Sequence, residues 1–174
     1  FAAAGTAGFR LPVRVTEVPV VDLTATTNAA DMIVITSPNV VGTPPSTAFT
    51  NYIAHREADS GLDLTVVMMS DIYDQFSNGL VTPEAIRSFL AYALDNWHGS
   101  GSAPAPAYVL LLGDSSLDYK NILNNSYWVN DVPTFMMYQF NFIIDYYSSD
   151  TFLSAVVGTD QFPDIHMGRI TPRN

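Results

Sequence analysis

The apolar run Tyr108-Val-Leu-Leu-Leu112 delivers Gly113, Asp114 and Ser115 in direct succession. Two kinds of chemistry fit this turn. Gly113 can permit it while Asp114 and Ser115 cap nearby backbone amides. Alternatively, a serine at a strand end becomes a nucleophile when an imidazole takes its proton. Three histidines, His55, His98 and His166, are the available bases. A solvated or packed imidazole is the favoured reading of each. The chain has no cysteine, which removes disulfides, thiolate zinc sites and a thiol nucleophile from these residues.

Charge narrows the field further. Seventeen acidic residues against seven basic ones give a net charge of -10, which repels nucleic acid and anionic lipid. The acids are 14 Asp and 3 Glu, a bias that suits a secreted or salt-adapted surface and supplies the short, hard oxygen ligands preferred by calcium. No apolar run reaches the roughly 20 residues of a membrane span. The opening Phe1-Ala-Ala-Ala-Gly5 lacks the basic start and hydrophobic core of a signal peptide.

The elements that position the turn follow from periodicity. Residues 1–30 read as lead-in strands, Phe9–Val15 and Val18–Leu23, confined to an edge by their prolines. Buried strands are expected at Met32–Thr36, Leu62–Met69 and Tyr108–Leu112, each a continuous apolar run. Between them, Thr43-Pro-Pro-Ser-Thr47 starts a helix over 46–60 that stops at Gly61. Thr82-Pro83-Glu84 starts a second over 83–97, with Thr82 as its capping hydroxyl. The alternation predicts adjacent parallel strands with helices on both faces: a three-layer, mainly parallel α/β subdomain over 31–174, its chemistry beyond the strands' carboxyl ends. Ser115 to Asn174 is aromatic and irregular, with short strands expected near 133–137, 152–157 and 164–170.

Gly113-Asp114-Ser115 resembles the nucleophile block of GDSL-type serine hydrolases. That family carries the block near its N-terminus and an Asp-x-x-His near its C-terminus. Here two strand-helix units precede it, and His166 stands one residue short of that spacing in Asp164-Ile-His166. A second resemblance covers residues 31–170. ADMIVIT, HREADSG, LTVVMMSDIYDQFSNG, TPEAIRSFLAYA, YVLLLGDSSLD, VPTF, IIDYYSSD and PDIHMGRI run in the order of the first half of the catalytic domain of gingipain-like cysteine peptidases.

This resemblance implies a caspase-like fold in two subdomains, with the catalytic His and Cys both in the second, after the Gly168-Arg169 strand. The chain is then the non-nucleophilic first subdomain, truncated before the catalytic half and inert alone. Its partner is the C-terminal catalytic subdomain of the same polypeptide, through which protein or peptide substrates are met. An extracellular or cell-surface location goes with it. The resemblance also implies a largely structural calcium site at Asp114, Asp145 and Tyr147, the last through its carbonyl; the family's further acid two residues on is Ser149 here. Arg169 is expected to pair with an Asp at the subdomain junction or to be satisfied locally. The alternatives are a catalytically dead cell-surface structural or adhesive module, and a serine hydrolase using Ser115.

Overall fold

The structure is a computed structural model that describes residues 21–100, 106–124, 129–141 and 143–172. Its centre is strand β1 (Met32–Thr36), which pairs in parallel with β2 (Leu64–Met68) on one side and β3 (Tyr108–Leu112) on the other. Strand β6 (His166–Ile170) extends the sheet beyond β3, giving the order β2-β1-β3-β6, all parallel. The three buried runs are thus adjacent and parallel, as their composition predicts.

All five residues of β1 are buried because side chains alternate between two apolar layers. Ile33 and Ile35 join Val109 and Leu111 of β3 in one layer, where they meet α3 (Met69–Phe76), α4 (Glu84–Asn96) and Leu153 of α5 (Thr151–Ser154). Met32 and Val34 join Leu110 and Leu112 in the other, covered by Val41 of α1 (Pro38–Val41) and by Phe49, Tyr52 and Ile53 of α2 (Thr47–Ser60). The first layer is the denser. Phe89 has no exposed surface and stands edge-on to both Phe76 and Trp97, with centroids 5.4 Å away in each case.

Helix α2 begins and ends as its sequence suggests. The Ser46 hydroxyl accepts from the Phe49 N–H at 3.3 Å, and Gly61 closes the helix in the left-handed conformation at φ 65°. Ser46→Ala should therefore lower stability by about 1 kcal/mol. That is a fall of about 3 °C in melting temperature for a chain of this length, readable by calorimetry; an unchanged melting point would deny the cap a role.

Four expectations need correction. The strand predicted at Leu62–Met69 is shorter, because Met69 already opens α3: Met69, Ile72, Tyr73 and Phe76 share one helical face against the core. The strand expected near 152–157 is instead α5 followed by coil. The aromatic tail contains an antiparallel hairpin, β4 (Phe135–Asn141) with β5 (Ile143–Ser149). The Thr82 hydroxyl bonds the Glu84 carboxylate, not a helix amide, and Pro83 is the residue flanking α4.

The lead-in strand Phe9–Val15 and residues 18–20 of the next lie outside the described residues. Residues 21–23 form no strand, yet they are tied down: Gln75 accepts from the Leu23 N–H at 2.9 Å and donates to the Val21 carbonyl at 2.8 Å. The buried Trp97 indole donates to the Leu23 carbonyl at 3.0 Å.

Candidate functional site

At the carboxyl edge of the sheet, β1 ends in Ser37, β2 runs into Met69, and β3 ends in Gly113-Asp114. The order β2-β1-β3 reverses direction here, with crossovers on opposite faces of the sheet. Open α/β sheets place ligands at such switch points.

Gly113 is required at the end of β3. Its φ is +155°, its N–H donates to the Ile170 carbonyl at 2.9 Å, and a Cβ placed on it would lie 2.7 Å from the Asp131 Cβ and 2.9 Å from a Val132 methyl. That close approach lets the 131–132 segment dock: the Asp131 and Val132 N–H groups donate to the Asp114 carbonyl at 2.9 and 3.0 Å. Asp114 turns its carboxylate back on the chain, accepting from the Ser115 N–H at 2.8 Å, which is the local capping role foreseen for it.

No histidine is brought to Ser115. His166 opens β6 opposite Tyr108, stacked on that ring at 5.5 Å, at the amino edge of the sheet, while Ser115 leaves at the carboxyl edge. His98 is at the amino edge as well, its carbonyl accepting from the Ala30 N–H at 2.8 Å; His55 is exposed on α2.

The strongest polar constellation of the edge centres on Arg169. Its guanidinium forks onto Asp150, Nε to Oδ2 at 2.7 Å and Nη2 to Oδ1 at 2.8 Å. Nη1 donates to the carbonyls of Gly113 at 3.0 Å and Val132 at 2.7 Å, and Nη2 to that of Pro133 at 3.3 Å. Thr134 adds a hydroxyl donor to Asp150 at 2.7 Å. One side chain thereby fastens β6, the end of β3, the 131–134 segment and the residue that joins β5 to α5. Burial pushes the Asp150 carboxyl up, but the hydrogen bonds and charge of Arg169, with Thr134, outweigh it and hold the group below its usual range.

Two further buried acids escaped sequence reasoning. Asp31, at the amino edge, accepts from the Asp63 N–H at 2.9 Å, from the Ser100 hydroxyl and from the Ser100 N–H at 2.6 Å, and these bonds hold its carboxyl below the ordinary value. Asp131 accepts from the Ser37 hydroxyl at 3.0 Å, bridging the ends of β1 and β3 across the switch point. A charged residue in the middle of an apolar-to-polar transition is the only sequence signal either one offers.

The three expected calcium ligands occupy different levels. Asp114 lies beside the 131–132 segment that leads into the hairpin. Tyr147 is exposed and stands opposite Met137, two residues along β5 from Ser149 at the hairpin's base. Asp145 stands opposite Gln139, four residues from that base, or roughly 13 Å along the strand. Among the described residues no three His, Cys, Asp or Glu side chains converge as a metal-binding group. The acid at the base is Asp150, and its partner is an arginine.

This parallel α/β sheet with helices on both faces is a caspase-like fold, and the family model for peptidase family C25 matches residues 25–174. The chain belongs to that family, the gingipain family. The crystal structure of dimeric latent PorU from Porphyromonas gingivalis is similar in fold, with a TM-score of 0.59 at 20% identity, over 83% of this chain and 14% of that one. The chain thus spans about one seventh of that neighbour's length. No curated protein matches it.

Proposed function

We propose that the chain is the non-nucleophilic first subdomain of a secreted gingipain-like cysteine endopeptidase, scaffolding a catalytic half that carries the His and Cys. Family membership and the absence of cysteine from these 174 residues support the division of labour. The observation that carries it is the half-covered sheet. Among the described residues β6 pairs only with β3, and its His166, Gly168 and Ile170 are exposed on the face that α2 covers over β1. Tyr108 beside them is 42% exposed, and an open groove of 530 Å³ runs over Tyr108, Leu110, His166 and Gly168. An edge strand whose outer backbone is unpaired among the described residues, with an uncovered face that includes Tyr108 and Ile170, is a place for a further layer.

Gly168 gives the test. A Cβ there meets nothing within 4 Å, so Gly168→Trp should leave the isolated chain folded, with its melting temperature within about 2 °C of wild type. In the native polypeptide, with a second half packed over β6, the same indole should reduce peptidase activity at least about tenfold, the effect of losing roughly 1.4 kcal/mol of docking. Full activity in that variant would leave β6 without a covering subdomain. Absence of peptidase activity from the wild-type native polypeptide would instead favour the second reading, a catalytically dead structural surface module built on the same fold.

Calcium belongs to the same reading. Asp114, Asp145 and Tyr147 stand at different levels in this structure, so they would supply hard oxygens to one ion only with the hairpin folded back toward Asp114, and the ion would then clamp the sheet edge to the hairpin as charge stabilisation, not chemistry. Binding to the folded form alone stabilises by about 2.7 kcal/mol when calcium is at 100 times its dissociation constant. Melting should rise with calcium and fall with chelator, and Asp114→Ala or Asp145→Ala should remove the dependence. Insensitivity of the wild-type melting point to chelator would eliminate the ion.

A further inference from the structure

The sheet has a second open flank, at the edge opposite β6. Among the described residues β2 pairs only with β1, which leaves the outer backbone of an edge strand unmade. Helix α2 covers this flank thinly. None of its 14 residues is buried, and Phe49, Tyr52 and Ile53, which pack on the β1–β2 layer, are only half-buried. Between helix and strand runs a groove of 460 Å³, walled by Phe49 and Ile53 of α2, Val66 and Met68 of β2, and Val21.

The charge on this groove has one sign. Glu57 and Asp71 stand on its wall, and no Lys, Arg or His does. Burial, and after it the neighbouring Asp74, pushes the Asp71 carboxyl up, as happens to an acid short of a cation. The occupant that suits such a groove is an extended segment, apolar on one side and basic on the other.

Phe9-Arg-Leu-Pro-Val-Arg-Val15 is a segment of this kind. Phe9, Leu11, Val13 and Val15 alternate with Arg10, Pro12 and Arg14. Two of the chain's seven bases and one of its seventeen acids fall in residues 1–20, so that stretch is net positive in a chain of net charge -10. Pro12 has the parity of the arginines, so its missing N–H would face away from a partner strand bonded through Leu11 and Val13. The tether is short. Val21, on the groove wall and 60% exposed, is separated from Val15 by only the five residues 16–20. A link of that length gives an effective concentration of the order of mM, so even a weak contact is made.

We propose that residues 9–15 dock in this groove as a fifth strand on the outer edge of β2, with Leu11 and Val13 against Phe49, Ile53 and Val66, and the arginines turned toward Asp71 and Asp74. The site is on the far side of the sheet from β6 and does not depend on a catalytic half.

Amide hydrogen exchange of the full 174-residue chain at dilute concentration tests it. The amides of 9–15 should exchange at least about tenfold more slowly in wild type than in the Leu11→Asp, Val13→Asp double variant. Ala54→Trp, at an exposed wall position of α2, should fill the groove and release the same amides. Undiminished protection of β1 and β3 in each variant reports that the chain is still folded. Arg10→Glu with Arg14→Glu should also release them, by repulsion from Asp71 and Asp74. Wild-type exchange at the unprotected rate over 9–15, or protection that survives Ala54→Trp, would overturn the proposal. Protection that grows with chain concentration would put a second copy in the groove and overturn it equally.

Discussion

Arg169→Met should destabilise the chain by about 4 kcal/mol in a denaturant titration. The Arg169 side chain is 13% exposed and Asp150 29%, so the substitution strands a poorly solvated carboxylate. It also removes the side-chain donor from the Gly113, Val132 and Pro133 carbonyls. Lysine should recover about half of the loss, since a point charge cannot satisfy both Asp150 oxygens and three carbonyls together. Adding Asp150→Asn to Arg169→Met should cost less than the sum of the two single changes by more than about 1 kcal/mol, because the stranded charge is gone.

The same pair sets an acid limit. The folded Asp150 carboxyl lies below its unfolded value of about 3.9, so its contribution is fully present above that pH and is lost as pH falls through the folded value. Wild type should lose stability below about pH 4, and Arg169→Met should show a flatter acid limb. Identical acid limbs in the two proteins would mean that the ion pair contributes nothing to folding.

Gly113→Ala should cost about 3 kcal/mol, the sum of overpacking and of a backbone angle that side chains avoid. The two close contacts, 2.7 Å to the Asp131 Cβ and 2.9 Å to a Val132 methyl, involve atoms held by the paired amides on the Asp114 carbonyl, so neither can retreat cheaply. The expected signature is a fall of about 8 °C in melting temperature. Gly168→Ala, on the adjacent strand β6, should change the isolated chain by less than about 0.5 kcal/mol. Equal effects at the two glycines would show that the 131–132 segment is not docked as described.

The parts of the fold legible in the sequence are those where one period dominates. β1, β2 and β3 are apolar on both faces because both faces are covered, and α2 and α4 carry a single apolar stripe with recognisable ends. α3 was hidden because Met69 continues the apolar run of β2 with no turn residue between them, so its helical spacing overlaps the strand's signal. The β4–β5 hairpin was hidden because its strands are aromatic on both faces and its connection holds no Asn-Gly or Asp-Gly turn. At the site, an Arg169–Asp pairing was foreseeable from charge alone. Which Asp, and that three carbonyls would share the guanidinium, depends on pairing between β3 and β6 and on the 131–134 segment crossing the sheet edge. Asp131 became buried through the same crossing, a long-range event that no local pattern records.

The central claim, a gingipain-like subdomain that carries no nucleophile of its own, is tested most directly by peptide hydrolysis. The 174-residue chain and the native polypeptide that contains it should be assayed side by side, with and without iodoacetamide. The chain alone should release no product and should leave a fluorophosphonate probe unreacted at Ser115, while the native polypeptide should cleave peptides in a reaction that iodoacetamide abolishes. Hydrolysis by the isolated chain, stoichiometric labelling of Ser115, or cleavage by the native polypeptide that survives iodoacetamide would contradict the account.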